Sequence, residues 1–152
     1  MRLEYLCDMS LKYREGSVWM QPYGGQEGRG YGEGDGTIVG EKLRGTVRWV
    51  NHPRWRSDGV ILPDAHGVVQ TDDGAHIFLT LQGRTIPHEG GDADQLLTVT
   101  FATEDERYCW LNACFCVLEG MIDLTLEAQE SMRARVYTCV NELVSTSSES
   151  RT

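Results

Sequence analysis

Apolar and polar residues alternate along most of this chain, and that period leaves little choice of fold class. Leu3, Tyr5, Cys7, Met9 and Leu11 alternate with Arg2, Glu4, Asp8, Ser10 and Lys12, broken only by Leu6, so a β-strand begins at once. From Thr37 to Val50 the pattern resumes, with Leu43, Gly45, Val47 and Trp49 facing one way and Arg44, Thr46 and Arg48 the other. Further strands are expected over 59–71, 75–83, 96–101, 108–118 and 132–144. In the run 108–118 Trp110, Asn112, Cys114 and Cys116 alternate with Leu111, Ala113, Phe115 and Val117. Asp72-Asp73-Gly74 joins two of these runs, and Asp-Gly is a strong two-residue hairpin signal. Seven glycines between Gly24 and Gly36 predict a loop, as do the residues from Gly83 to Gly91. The stretch 119–130 reads equally as strand or helical turn, and 145–152 reads as a disordered tail. About eight or more short strands with regular turn signals predict a single antiparallel β-barrel over 1–144, lipocalin-like, with an internal cavity.

Composition removes several function classes. A chain of 152 residues with 40% hydrophobic content makes one domain with a real core. Its 23 acidic and 14 basic residues give a net charge of −9, which disfavours nucleic acid as a partner because phosphate neutralisation needs surplus Lys and Arg. No apolar run is long enough to span a bilayer as a helix, and MRLEYLCDMS has no secretory h-region, so no membrane partner and a cytoplasmic location are expected. Five cysteines without a C-x-x-C read as free thiols in a reducing compartment.

Three constellations could carry chemistry. Lys42 to Ser57 holds five Lys or Arg, two Trp and His52 with no acid. Arg44, set in a strand beside Gly45, is the candidate to hold an oxyanion, with Thr46 on the same face. The alternative is a cross-barrel salt bridge, and Arg54 and Arg56 read as loop arginines paired with the protein's own carboxylates. If Asp73-Gly74 is the turn, Asp64 and His66 share a face with Val68, Ile77, Leu79 and Leu81, as an acid/base pair or as a structural pair at the rim. His76 then falls on the opposite face with Val69 and Phe78. Trp110 and Asn112, two apart in a strand, are expected to share a cavity wall. The four histidines fit no metal-ligand spacing, and no G-x-S-x-G occurs, so neither a metal nor another cofactor is expected.

These residues assemble into a family likeness. Gly36-Thr37-Ile38-Val39-Gly40-Glu41-Lys42-Leu43-Arg44-Gly45-Thr46-Val47 resembles the G-T-x-x-G-x-x-L-R-G-T-V signature of domain-of-unknown-function family 3237. Trp55, Asp58-Gly59, Asp64-Ala65, Thr71 to Ala75, Phe101 with Thr103, Tyr108 to Asn112 and Arg135-Val136-Tyr137 follow in the expected order. The resemblance implies one antiparallel barrel with an internal cavity and brings no general activity with it. Arg54 and Ala102 stand where the family pattern carries Asp and Glu, and 119–130 is longer than usual. Two readings follow. One is a cofactor-independent isomerase, lyase or cyclase of a biosynthetic or catabolic pathway, acting on a small molecule of anionic or aromatic character. In it Arg44, Asp64 and His66 are catalytic, and Thr46, Trp55, Tyr108, Trp110 and Asn112 bind substrate. The other is a non-catalytic barrel that carries or sequesters such a molecule. Either fits a monomer or a homodimer.

Overall fold

The computed structural model describes residues 1–125 and 131–145. Eleven strands form one antiparallel sheet: β1 Arg2–Tyr13, β2 Val18–Met20, β3 Gly28–Val39, β4 Arg44–Asn51, β5 Arg54–Trp55, β6 Ile61–Leu62, β7 Asp64–Thr71, β8 His76–Pro87, β9 Asp92–Ala102, β10 Cys116–Asp123 and β11 Ser131–Val140. A 3-10 helix covers Cys109–Ala113, and α1 is the short turn Glu142–Ser145. Eight strands close a ring in the order β1, β11, β10, β9, β8, β7, β4, β3 and back to β1. Full closure pairs both edges of every wall strand, which removes the exposed edges of an open sheet. The three short strands lie off the ring as a flap: β2 and β5 pair with β3, and β6 joins β5 to β8.

The interior follows the alternation read from the sequence. Val47 and Trp49 of β4, Ile77, Leu79 and Leu81 of β8, and Leu97, Val99 and Phe101 of β9 are all buried in one core. Each such side chain taken from water contributes roughly 1.5–3 kcal/mol. Leu6 marks a β-bulge, because the β1–β11 register shifts between Tyr5 and Cys7. One extra residue reverses the facing of all that precede it. Cys7, Met9 and Leu11 therefore point inward, while Leu3 and Tyr5 are 52% and 55% exposed.

The glycine-rich stretch forms a strand where the sequence predicted a loop. Gly28, Gly30, Gly32, Gly34 and Gly36 occupy every second position of β3, and neighbouring backbone carbonyls together with aromatic or aliphatic side chains fill the space their missing Cβ atoms would take. A Cβ on Gly30 would lie 2.5 Å from the Trp19 ring, and one on Gly34 would lie 2.6 Å from the Trp49 ring. The Tyr13 ring lies against Gly32, and Leu11 against Gly36. Glycine serves here because only a bare backbone admits these rings so close.

Three other expectations change. Strand β8 runs through Gly83 to Pro87, so the loop there is only 88–91. Residues 108–118 are not one strand: Asn112 turns its side chain onto the backbone of Thr103, accepting from its N–H at 2.9 Å and donating to its carbonyl at 2.8 Å. The 3-10 helix that results sends only Leu111 into the core. The ambiguous stretch 119–130 is strand β10 up to Asp123, while 126–130 and the tail 146–152 lie outside the described residues.

Candidate functional site

The hairpin register decides where the acid/base candidates lie. Thr71, not Asp72, pairs with Ala75: its N–H donates to the Ala75 carbonyl at 2.9 Å, and Gly74 N–H donates back to Thr71 at 3.0 Å. The loop is thus three residues, 72–74, with Gly74 left-handed at φ 90°, a type I turn closed by a glycine bulge. Side-chain bonds make the difference. Thr71 Oγ1 donates to Asp73 Oδ1 at 2.6 Å and accepts from Ala75 N–H at 2.8 Å. His66 therefore faces Thr80, and Ala65 faces Leu81. A slip of one residue exchanges the faces of a strand.

Asp64 and His66 do share a face, but it is the outer one. His66 Nε2 lies 2.9 Å from Asp64 Oδ1, which also accepts from Gln82 Nε2 at 3.0 Å. The Gln82 bond, then His66, holds the Asp64 carboxyl below its ordinary value. His76 and Phe78 share this outer face with them and are exposed.

Arg44 and Thr46 are also exposed on the outer wall, because Gly45, Val47 and Trp49 take the inward positions of β4. The expected anion site inside the barrel is therefore not formed by Arg44. Arg54 pairs with Glu27 at 3.3 Å, and Arg56 pairs with Asp58. Trp110 is 38% exposed on the 3-10 helix, so it shares no cavity wall with Asn112. Tyr108 donates to Asp73 Oδ1 at 2.8 Å and ties that helix to the hairpin. Trp55 is half-buried in the flap, its ring edge-on to Trp19 at 5.8 Å.

The polar interior lies at the opposite end of the barrel from the 3-10 helix. A pocket of about 30 Å³ is lined by Leu11, Tyr13, Trp49, Asn51, Pro63, Ala65, Leu81, Gln95, Leu97, Ile122 and Met132. Asn51 is buried and its orientation is fixed. Its Oδ1 accepts from the backbone N–H of Asp64 at 3.0 Å, a group that can only donate, so Nδ2 donates to the Tyr13 hydroxyl at 2.9 Å. Trp49 donates its indole N–H to the Asp35 carbonyl at 3.1 Å and meets Tyr13 edge-to-face at 4.6 Å. Trp19 lies beyond Tyr13 at 6.4 Å and Trp55 beyond Trp19, so four aromatic rings run from the flap to the pocket.

Gln95 completes the site. It is 7% exposed, and its Nε2 donates to Thr85 Oγ1 at 3.0 Å. Among the described residues its Oε1 is the one buried side-chain oxygen or nitrogen without a partner. Such an atom costs roughly 1–3 kcal/mol of desolvation, and native structures tend to keep one where it does something. Among the described residues none that lines this pocket is charged. Among the described residues no group of three or more His, Cys, Asp or Glu is placed to hold a metal ion.

Tyr13, Asn51 and Gln95 were not among the candidates from sequence, although the alternation contains all three. Tyr13 continues the inward series Cys7, Met9, Leu11, Asn51 continues Val47, Trp49, and Gln95 stands between Ala93 and Leu97 in the inward series of β9. Polar residues in phase with a buried face were the available signal.

The comparisons with known proteins agree with this architecture. The model of DUF3237, described as a protein of unknown function, matches residues 1–138. The hydroalkoxylation enzyme phnH of Penicillium herquei is 36% identical over 78 residues, 51% of this chain and 41% of that enzyme. The chain thus matches less than half of that relative's length. The crystal structure of an enzyme from Penicillium herquei superposes with a TM-score of 0.64 at 26% identity, over 88% of this chain and 93% of that one. A β-barrel-like protein from Acinetobacter baumannii superposes with a TM-score of 0.77 at 20% identity, over 90% of this chain and 94% of that one, a likeness of fold alone.

Proposed function

The chain belongs to DUF3237, and from that premise we propose that it is a cofactor-independent enzyme that moves a proton on a small molecule held at the polar end of the barrel. The reaction class is isomerase, lyase or cyclase, and addition of an alcohol O–H across a C=C bond is the member best supported, since a relative carries the name hydroalkoxylation enzyme. Such an addition forms one C–O and one C–H bond and breaks one O–H and the π bond, so it is redox-neutral and calls for an acid and a base.

The observation that carries the reading is the bond from Asn51 to Tyr13. Among the described residues that line the pocket, Tyr13 carries the hydroxyl that can pass a proton to a ligand. The hydrogen bond that Asn51 Nδ2 donates to its oxygen fixes where the hydroxyl sits in the pocket. Asn51 cannot rotate away from this task, because the Asp64 N–H holds its other end. Tyr13 therefore gives a proton to the alkene carbon and, as phenolate, takes one back from the attacking hydroxyl. The surface pair Asp64–His66 acts at one remove, by fixing the strand whose backbone orients Asn51.

Tyr13→Phe tests the assignment. Hydroxyl-bearing aryl alkenes are incubated with the protein, and cyclic-ether products of unchanged mass are separated by chromatography. The variant should fold with an unaltered circular-dichroism spectrum and lose about 10²–10⁴-fold in turnover, the range for positioned proton transfer. Full turnover by a folded Tyr13→Phe protein would remove Tyr13 from the mechanism. Binding without turnover by the wild type, across the series, would favour the carrier.

A further inference from the structure

Resting on that reading of the pocket, we propose that Gln95, held by Thr85, forms a subsite for a neutral hydroxyl group of the ligand and rejects both carboxylates and carbonyls.

Size comes first. A pocket of about 30 Å³ has room for one or two water-sized groups, since roughly 10–15 Å³ of such space holds a water. It admits a hydroxyl and its carbon, while the body of the ligand stays among the rings at the mouth. Charge comes next. The lining is aliphatic on the side of Leu81, Leu97, Ile122 and Met132, and among the described residues it includes no Asp, Glu, Lys, Arg or His. An ionised carboxylate would sit there without a counter-charge, which buried sites do not tolerate.

The hydrogen-bonding sense follows from the two amides. Asn51 has both ends engaged, with Asp64 and Tyr13. Gln95 has its Nε2 engaged with Thr85 Oγ1, directly across the β8–β9 ladder, and its Oε1 without a partner. At Gln95 the unmet demand is therefore for a donor. An alcohol or phenol O–H meets it; an aldehyde or ketone oxygen, an acceptor only, does not.

Four probes of one size separate the possibilities: benzyl alcohol, benzaldehyde, benzoate and toluene, titrated into the full chain. The indole N–H cross-peak of Trp49 in nitrogen–proton correlation spectra reports occupancy, and turnover is not involved. Benzyl alcohol should bind about tenfold more tightly than the other three, the factor equivalent to one hydrogen bond of ordinary strength. In Gln95→Leu its affinity should fall to that of toluene, while toluene holds or improves. Equal or tighter binding of benzaldehyde or benzoate by the wild type overturns the proposal, as does an alcohol preference that survives Gln95→Leu. Should that variant not fold, the wild-type ranking decides alone. Toluene binding without an alcohol preference removes the subsite and leaves the ligand pocket standing. No binding by any probe removes both.

Discussion

At the end of the barrel that carries Leu43, Phe101 and Leu111, inward side chains other than Thr71 are apolar, and the 3-10 helix sets Leu111, with no exposed surface, across the opening. Hydrogen bonds close it from outside: Asp73 accepts from Thr71 and Tyr108, and Arg107 reaches Asp73 at 3.2 Å. At the other end, Tyr13, Asn51 and Gln95 replace aliphatic side chains in the same inward positions, and one buried oxygen goes unpaired. The two ends share strands and differ only in which residues the alternation sends inward. One spends its interior on cohesion, and the other gives up cohesion for a place where a polar group is wanted.

Leu111→Ala should break the first end most heavily. It empties a fully buried leucine site and should cost about 2–5 kcal/mol, read from urea unfolding. A loss under ~1 kcal/mol would mean that the 3-10 helix merely covers the barrel.

The double replacement Thr85→Val with Gln95→Leu should behave in the opposite sense. It removes a bonded pair together with its unpaired oxygen and substitutes apolar groups of similar shape, so stability should hold or rise by up to ~1 kcal/mol. A loss above ~2 kcal/mol would show that Gln95 is structural and that the two ends do not differ as described.

A smaller effect is expected from acid. Hydrogen bonds from Thr71 and Tyr108, then the charge of Arg107, hold the Asp73 carboxyl below its ordinary value of 3.8. The folded protein thus binds fewer protons than the unfolded chain in the window just below that value. The stability Asp73 contributes is present above it and is lost as pH falls through the lower, folded value. Asp73→Asn should accordingly flatten the acid limb of a stability–pH curve below about pH 4. Identical limbs in the two proteins would exclude this carboxylate as the clamp.

The alternation in the sequence was sufficient for an all-β barrel, because a period of two is a direct record of which residues see water. It even placed Arg44 and Thr46 opposite Val47 and Trp49, and the faces of β4 are as that pattern has them. Assigning Arg44 to the interior set residue type above periodicity, although a guanidinium keeps its hydration most cheaply on the outer wall. The Asp64–His66 face was lost for another reason. Loop length hangs on one hydroxyl, that of Thr71, and Asp-Gly alone does not tell a two-residue loop from a three-residue one. Strand β3 was hidden by composition. Glycine usually interrupts strands, and only the rings lying on Gly30, Gly32 and Gly34 explain why this one persists.

The ring closes through β1, which pairs with β11 on one side and β3 on the other, bringing Arg2 opposite Val140. Contacts so remote in sequence must await the entropy cost of closing almost the whole chain, and folds dominated by them fold in milliseconds to seconds rather than microseconds. During synthesis the first strand has its β3 partner long before β11 leaves the ribosome. Until then its other edge, with the apolar Leu3 and Tyr5 at its start, is open to pairing with a neighbouring nascent chain.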